Sequence, residues 1–252
     1  MGFSILKDMN SLHIFDYVVA RELNALYIIL DIVFLLLVAF LLIRLKKWLP
    51  LYFGLAGAII YFIVDYGIFY LLLGTREVVG ANTFLFLLWL STSYGFTNFL
   101  WIWLLLDKDK HIIEWSSLIV IGWFSIALIS QSFGSSFATI QISRGTGSYH
   151  GAMAAILLVG YLIVIIHNLT NKKSERIPIL KLLFIGIIVQ LSWEAVLLIS
   201  GIRPEGFNPL IVNSLLETNL GLPYLFFIHR YIKKRAVFKK PTFTEPKEQL
   251  AA

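Results

Sequence analysis

The stretch LYFGLAGAIIYFIVDYGIFYLLL, residues 51–73, decides the fold class of this chain. It runs for 23 residues with a single charged side chain, that of Asp65. The hydrocarbon core of a bilayer is about 30 Å thick, so an apolar stretch of roughly 20 residues can cross it as a helix. The stretch therefore predicts a membrane-spanning helix that carries one acid.

Six further apolar stretches flank this one. They cover residues 25–43, 83–106, 116–129, 151–166, 182–200 and 209–231. Apolar residues make up 58% and charged residues 14% of the 252-residue chain, against about half and about a quarter in a soluble domain. The sequence thus predicts an all-α fold, a single membrane domain over residues 1–232 with seven transmembrane helices.

The basic residues fall unevenly on the two sides of such a bundle. If the seven spans alternate in direction, 16 Lys and Arg residues lie on the side of the C-terminus and 5 on the other. Cytoplasmic loops retain an excess of Lys and Arg. The distribution predicts an outside N-terminus and a cytoplasmic C-terminus in a multi-pass protein of the cell membrane.

The two ends of the chain differ in character from the spans. Residues 1–23 mix acids with cations and lack an apolar core before a small-residue cleavage site, so we interpret them as an amphipathic outer arm and not a signal peptide. Residues 233–252 form a basic tail that we expect to be disordered in the cytoplasm. The chain has no Cys, which excludes disulfides and thiolate chemistry. The net charge of +6 follows from membrane topology, and we expect no nucleic-acid partner.

Two parts of the sequence echo each other. Asp65 in the second span precedes Arg76 by 11 residues, and Glu194 in the sixth span precedes Arg203 by nine. Internal repeats are common in transporters. The echo raises the hypothesis of a parallel 3+1+3 repeat, in which the fourth span joins two units of three helices.

Three acids lie well inside the predicted spans: Asp65, Glu194 and Glu217. At about 1.5 Å per residue, they lie roughly 9 to 12 Å from the outer ends of their helices. Ionisable side chains are costly in hydrocarbon and usually face the interior of the bundle. Their similar depth predicts one pocket in the outer half of the membrane. The alternative is that these carboxyl groups only hold helices together by hydrogen bonds.

Aromatic and amide side chains share helix faces with these acids or lie close to them in the sequence. The predicted pocket lining comprises Tyr61, Phe69, Trp89, Tyr94, Asn98, Trp193, Asn213 and Tyr224. A carboxyl group that burial keeps neutral can protonate an olefin or an epoxide, and aromatic ring faces stabilise the resulting carbocation. The five His residues show no metal-ligand spacing, so we expect no metal and no cofactor.

This layout resembles the small seven-span terpene cyclases of meroterpenoid and indole-diterpene pathways. Members of that family carry one key acid in the second helix and another in the last, as do VDYGIFY at residues 64–70 and ETNLG at residues 217–221 here. The resemblance implies a metal-independent cyclase or isomerase with Asp65 and Glu217 as its catalytic acids. It also implies a prenylated epoxide or olefin dissolved in the membrane as substrate. Glu194 is a third catalytic candidate because it lies at a similar depth.

The chain departs from the family pattern in the type of each acid. The family usually has Trp-Glu in the second helix and Asp in the last, whereas this chain has Val64-Asp65 and Glu217. The Trp-Glu pair occurs instead in the sixth span, as Trp193-Glu194. An Asp in place of Glu shortens the arm of the carboxyl group by about 1.5 Å, which is enough to change a rate.

A proton-coupled transporter of a small solute is the main alternative, with Asp65 and Glu194 as matched coupling acids. Alternating-access proteins commonly break their helices in the middle of the membrane. Of the seven prolines, only Pro223 lies well inside a predicted span, which argues against this alternative. A receptor or assembly subunit without chemistry is a third class. The expected partner is a membrane lipid or a lipid-soluble small molecule.

Overall fold

The computed structural model describes residues 17–145, 150–203 and 206–238. The helices in these ranges are α1 Ala25–Arg44, α2 Trp48–Phe62, α3 Thr83–Asp107, α4 Ile112–Phe133, α5 His150–Thr170, α6 Ile179–Ile199 and α7 Phe207–Phe238. Helix α2 continues without a break as a π-helix, Ile63–Leu72. Seven helices in the described part of the chain are long and apolar enough to cross a membrane. The prediction of seven helices that are long and apolar enough to span a membrane is confirmed.

Some helices are longer than the apolar stretches from which they were predicted, because helices continue into polar sequence at their ends. Asn24 and Asn82 cap α1 and α3, because their side-chain oxygens accept hydrogen bonds from backbone N–H groups in the first turn, at 3.2 Å and 3.1 Å. The shortest predicted spans, residues 116–129 and 151–166, correspond to α4 and α5, which continue past those limits. A helix does not end where its side chains become polar, so hydropathy marks only the apolar middle.

The all-α prediction is wrong at one end of the bundle, where three strands form an antiparallel sheet in the order β1-β3-β2. The strands are β1 Tyr17–Asn24, β2 Arg76–Val79 and β3 Thr139–Gly145. In β3, Ile140 and Ile142 are buried and Gln141 is exposed, which is the alternation of a half-buried strand. A search for long apolar runs does not detect such short alternating segments. We call this end of the bundle the sheet end.

The structure describes only part of the predicted N-terminal arm and of the predicted C-terminal tail. Strand β1 covers the last residues of the predicted outer arm, and helix α7 continues to Phe238, past the residue at which the basic tail was predicted to begin. Residues 1–16 of the arm and 239–252 of the tail lie outside the described residues.

Helix α3 is the centre of the bundle. It contacts α1, α2, α4, α6 and α7, and most of its residues are buried, including the rings of Trp101 and Trp103. The most extensive contacts between helices are those of α2 with α3 and of α6 with α7. Side chains on α3 therefore face several helices at once, and the interior of the membrane domain is built around it.

Ion pairs fasten the opposite end, which we call the basic end and define by the turns at residues 45–47, 108–111 and 171–178. Asp107 at the end of α3 receives a hydrogen bond from Lys233 of α7 at 3.1 Å and lies 2.7 Å from the Nε2 atom of His229. Lys47 and Asp109 form a second ion pair between two turns. These contacts tie α3 to α7, and the turn at residues 45–47 to the turn at residues 108–111.

Acidification is expected to weaken the Lys47–Asp109 contact. Burial raises the pKa of Asp109, but the hydrogen bonds from Lys47 and from the His111 backbone N–H outweigh it and hold that pKa below its usual value. The folded-state pKa is depressed, so the stabilisation is present at neutral pH and is lost as the pH falls through it. We expect Asp109→Asn to lower stability by about 1 kcal/mol or less. Thermal unfolding against pH should show the variant and the wild type converging in acid; a constant difference would contradict this.

Candidate functional site

A buried ion pair joins the π-helix to the sheet. The Nε atom of Arg76, the first residue of β2, donates to Oδ1 of Asp65 at 2.8 Å, and both residues are buried. The Arg76 guanidinium also lies over the Phe69 ring, 4.3 Å from its centroid. Because an adjacent guanidinium favours the charged form of a carboxyl group, this geometry is that of an ionised Asp65.

A second buried ion pair lies on α6. Glu194 is fully buried and accepts a hydrogen bond from Nη1 of Arg203, in the turn after the helix. Arg21 of β1 lies on its other side, with Nη2 3.5 Å from the carboxylate. The amide of Asn213 on α7 donates to the same carboxylate at 3.0 Å. Glu194 is thus an ionised carboxylate held by the sheet end, α6 and α7 together.

Gln190 links this cluster to the third acid. Its Nε2 atom donates to Oε2 of Glu217 at 2.8 Å and lies 3.3 Å from Glu194. Its Oε1 atom accepts from the hydroxyl of Thr218 at 2.9 Å and from that of Tyr94. Among the described residues Glu217 makes no ion pair, so it is the acid of the three that is free of an arginine partner.

A cavity lies between α2, α3 and α6 at the sheet end. Its empty space, with the open solvent at its mouth included, is about 240 Å³, and its lining comprises Arg21, Tyr61, Asp65, Leu90, Ser91, Tyr94 and Trp193. The ring of Tyr94 stands edge-on to Tyr61 and to Trp193, with centroids 4.9 Å and 5.6 Å apart. One carboxylate therefore faces a wall of three aromatic rings.

The structure brings most of the predicted site residues together. Asp65, Tyr61, Tyr94 and Trp193 line the cavity, and Glu194, Asn213 and Glu217 form the polar network next to it. The predicted site is therefore divided into two adjoining parts, a cavity and a hydrogen-bonded network, which Tyr94 joins through its contact with Gln190.

Four predicted lining residues lie elsewhere. Phe69 packs under Arg76, and the indole N–H of Trp89 donates to Asp31 at 2.9 Å. The hydroxyl of Tyr224 donates to the backbone carbonyl of Ile156 on α5 at 2.8 Å. Asn98 is buried on α3, and its amide has no hydrogen-bond partner among the described residues. None of these four lines the cavity.

Sequence reasoning missed the arginines and one acid. Arg21, Arg76 and Arg203 are 4%, 4% and 2% exposed, whereas their positions in predicted outer segments indicated surface residues. Arg76 and Arg203 recur at similar distances after an acid, which was a usable signal. Asp31 is fully buried in α1 and was detectable as an acid within an apolar run.

The described residues contain no group of three or more His, Asp or Glu side chains that could hold a metal ion. They offer the carboxylate of Asp65 and aromatic ring faces around a cavity. A further carboxyl group, that of Glu217, is connected to the cavity residue Tyr94 through Gln190. Comparison of the chain with protein-family models, with curated proteins and with solved structures finds no match in any of the three.

Proposed function

We propose that this protein is an integral membrane enzyme that cyclises or isomerises a prenylated, lipid-soluble substrate by acid catalysis. The observation that supports this most is the cavity in which Asp65 faces the rings of Tyr61, Tyr94 and Trp193. A cationic intermediate is stabilised by aromatic faces and by a nearby carboxylate in a site of low dielectric constant. The resemblance to seven-span terpene cyclases, which carry acids in the same two helices, points to the same chemistry.

The three acids differ in their arginine partners, and we assign their roles from this difference. Glu217 has no arginine partner among the described residues, so in its protonated form it supplies the proton that opens an epoxide or adds to an olefin. Asp65, ionised by Arg76, faces the resulting carbocation and accepts the proton lost when the ring system closes. One proton enters and one leaves, so the product is an isomer of the substrate. Glu194 then orients Gln190 and Asn213 and does not react.

The cavity is too small for a prenylated substrate, because its enclosed space holds about one water molecule, whereas pockets for drug-sized ligands measure about 300–1,000 Å³. Binding therefore requires part of the wall to move. The wall at Asp65 is the π-helix Ile63–Leu72. π-Helical turns are rare in proteins, and those that do occur are often at functional sites. We infer that this segment yields to admit substrate, together with Tyr94, whose hydroxyl leaves Gln190 and opens the way to Glu217.

A second candidate, proton-coupled transport, is favoured by a different observation. The pairs Asp65–Arg76 and Glu194–Arg203 are related in sequence and close the same end of α2 and α6. In a 3+1+3 repeat such matched pairs would form a gate that opens when the acids are protonated.

The test is a lipid profile of cells that express the wild type, Asp65→Asn or Glu217→Gln and are fed prenylated aromatic epoxides and olefins. The wild type is expected to yield an isomer of unchanged mass. Glu217→Gln is expected to lower its rate of formation by about 10²- to 10⁴-fold because the proton donor is lost. Asp65→Asn should lower it as well, because the cavity then lacks the carboxylate that accepts the final proton.

The matched control is Glu175→Gln, the same chemical change at an exposed residue of the basic end, which should leave the isomer yield unchanged. Folded protein in each membrane is quantified by size-exclusion chromatography after extraction. No isomer from folded wild type, together with pH-gradient-driven solute uptake that Asp65→Asn and Glu194→Gln abolish, would replace the enzyme proposal with transport.

A further inference from the structure

A fourth intramembrane acid lies apart from the site just described. Asp31 is in α1, fully buried, and Oδ2 of its carboxyl group accepts the indole N–H of Trp89 at 2.9 Å. Trp89 itself is held edge-on by Tyr27, one helical turn before Asp31, with ring centroids 5.9 Å apart. The acid is therefore fixed between α1 and α3 by one neutral hydrogen-bond donor.

Several polar atoms around Asp31 lack partners. Oδ1 of Asp31, the hydroxyl of Tyr27 and the hydroxyl of Ser93 are buried with no hydrogen bond of normal geometry in the described part of the chain. Ser93 lies one turn after Trp89 on α3, on the same helix face, and its side chain interacts with the Asp31 carboxyl group. Buried polar atoms are rarely left unpaired in proteins. Oδ1 of Asp31 therefore needs a hydrogen-bond partner, and so do the hydroxyl groups of Tyr27 and Ser93.

No cation faces Asp31 among the described residues. Its own helix presents Tyr27, and α3 presents Trp89 and Ser93. Arg21 on β1 interacts electrostatically with Tyr27, and its guanidinium lies 3.5 Å from the carboxylate of Glu194. Helices α2 and α4 also pack against α1, and the structure shows no ion pair between their described residues and Asp31. A bare carboxylate in such surroundings is costly, so its charge must be neutralised.

We propose that Asp31 is a proton-binding site, occupied by a proton that Oδ1 carries and donates to the hydroxyl oxygen of Ser93. This assignment gives partners to two of the unpaired atoms and leaves Oδ2 as a carbonyl oxygen that accepts from Trp89. A metal cation suits the site less well, because hard cations in proteins take about six or more oxygen ligands, whereas the side chains here supply Oδ1 and two hydroxyls.

The site lies beside the cavity but does not depend on the function proposed for it. Leu90, Ser91 and Tyr94 line the cavity from α3, whereas Trp89 and Ser93 on the same helix face Asp31. The proton is thus stored one helix away from Asp65, and its presence is a property of α1 and α3 alone.

Infrared spectroscopy of the full chain in nanodiscs tests the proposal. The difference spectrum between wild type and Asp31→Asn is expected to contain one carboxylic-acid C=O band that persists from neutral to mildly alkaline pH. Asp31→Glu should restore a band at a shifted frequency. Trp89→Phe, which keeps the acid, should move the wild-type band to higher frequency because the C=O group loses its hydrogen bond.

Asp65→Asn is the matched control, since the acid it removes is ion-paired and should contribute carboxylate bands only. Loss of carboxylate bands in Asp31→Asn, or an unchanged carboxylic-acid region in both Asp31→Asn and Trp89→Phe, would overturn the proposal. Sodium that raises the melting temperature of wild type relative to choline, but not that of Asp31→Asn, would assign the site to a metal cation instead.

Discussion

Glu194→Gln is expected to lower the free energy of unfolding by about 3–5 kcal/mol, the range for breaking a buried ion pair from one side. The carboxylate is fully buried and faces the guanidinium groups of Arg203 and Arg21. After the substitution both cations face a neutral amide in a medium that solvates charge poorly. Thermal unfolding in detergent, followed by circular dichroism, measures the loss.

A double-mutant cycle separates the ion pair from general damage at this position. Arg203→Gln alone should also be strongly destabilising, because it removes the cation from Glu194. The double variant is expected to lose much less than the sum of the two single losses, since the pair is then neutral on both sides. Additive losses would show that Glu194 and Arg203 do not interact in the folded protein.

The matched control for this cycle is Glu114→Gln. Its carboxyl group is 67% exposed and lies 3.1 Å from Nδ1 of His111, three residues earlier in the chain. The substitution is chemically the same as that at Glu194, and we expect no measurable change in melting temperature. A large effect there would indicate that any Glu→Gln change disturbs the bundle.

The membrane spans could be predicted because each depends on local composition alone. The sheet could not, because β1 and β3 pair across 119 residues, for example through the Gln141–Glu22 side-chain hydrogen bond. Strand pairing at such distances leaves no signal in hydropathy. The same sheet brings Arg21 to Glu194 and Arg76 to Asp65. The ion pairs of both acids therefore depend on strand pairing that hydropathy does not reveal.

The candidate site shows the same division between local and non-local information. The depth of each acid follows from its position in a helix, and Asp65 and Glu194 do approach the same sheet end. Which face of α3 meets which helix does not follow from spacing, because α3 is buried on nearly all sides. Trp89 was therefore assigned to the pocket, although its N–H group is used by Asp31 on α1.

Gly57→Leu is expected to abolish the folded protein or nearly so, because α2 and α3 leave no room for a side chain at this residue. A Cβ atom built at Gly57 lies 2.5 Å from the Gly95 carbonyl oxygen and 2.4 Å from Cγ of Phe99. Both distances are far below contact, and one of them is to backbone, which cannot rotate away. Even Gly57→Ala is expected to cost about 1–3 kcal/mol, the range for overpacking a filled interior. The measurement is the yield of monodisperse protein and its melting temperature in detergent.

Gly67, in the π-helical part of the same span, provides the control. A Cβ atom built there has no neighbour within 4 Å, so Gly67→Ala and Gly67→Leu introduce the same side chains without a clash. Since the gain in helix propensity from Gly to Ala or Leu is similar at the two positions, the difference between the pairs of variants isolates the α2–α3 contact. If Gly57→Leu proved as stable as Gly67→Leu, the two helices would have to lie farther apart than this packing requires, and Tyr61 on α2 would no longer meet Tyr94 on α3 across the cavity.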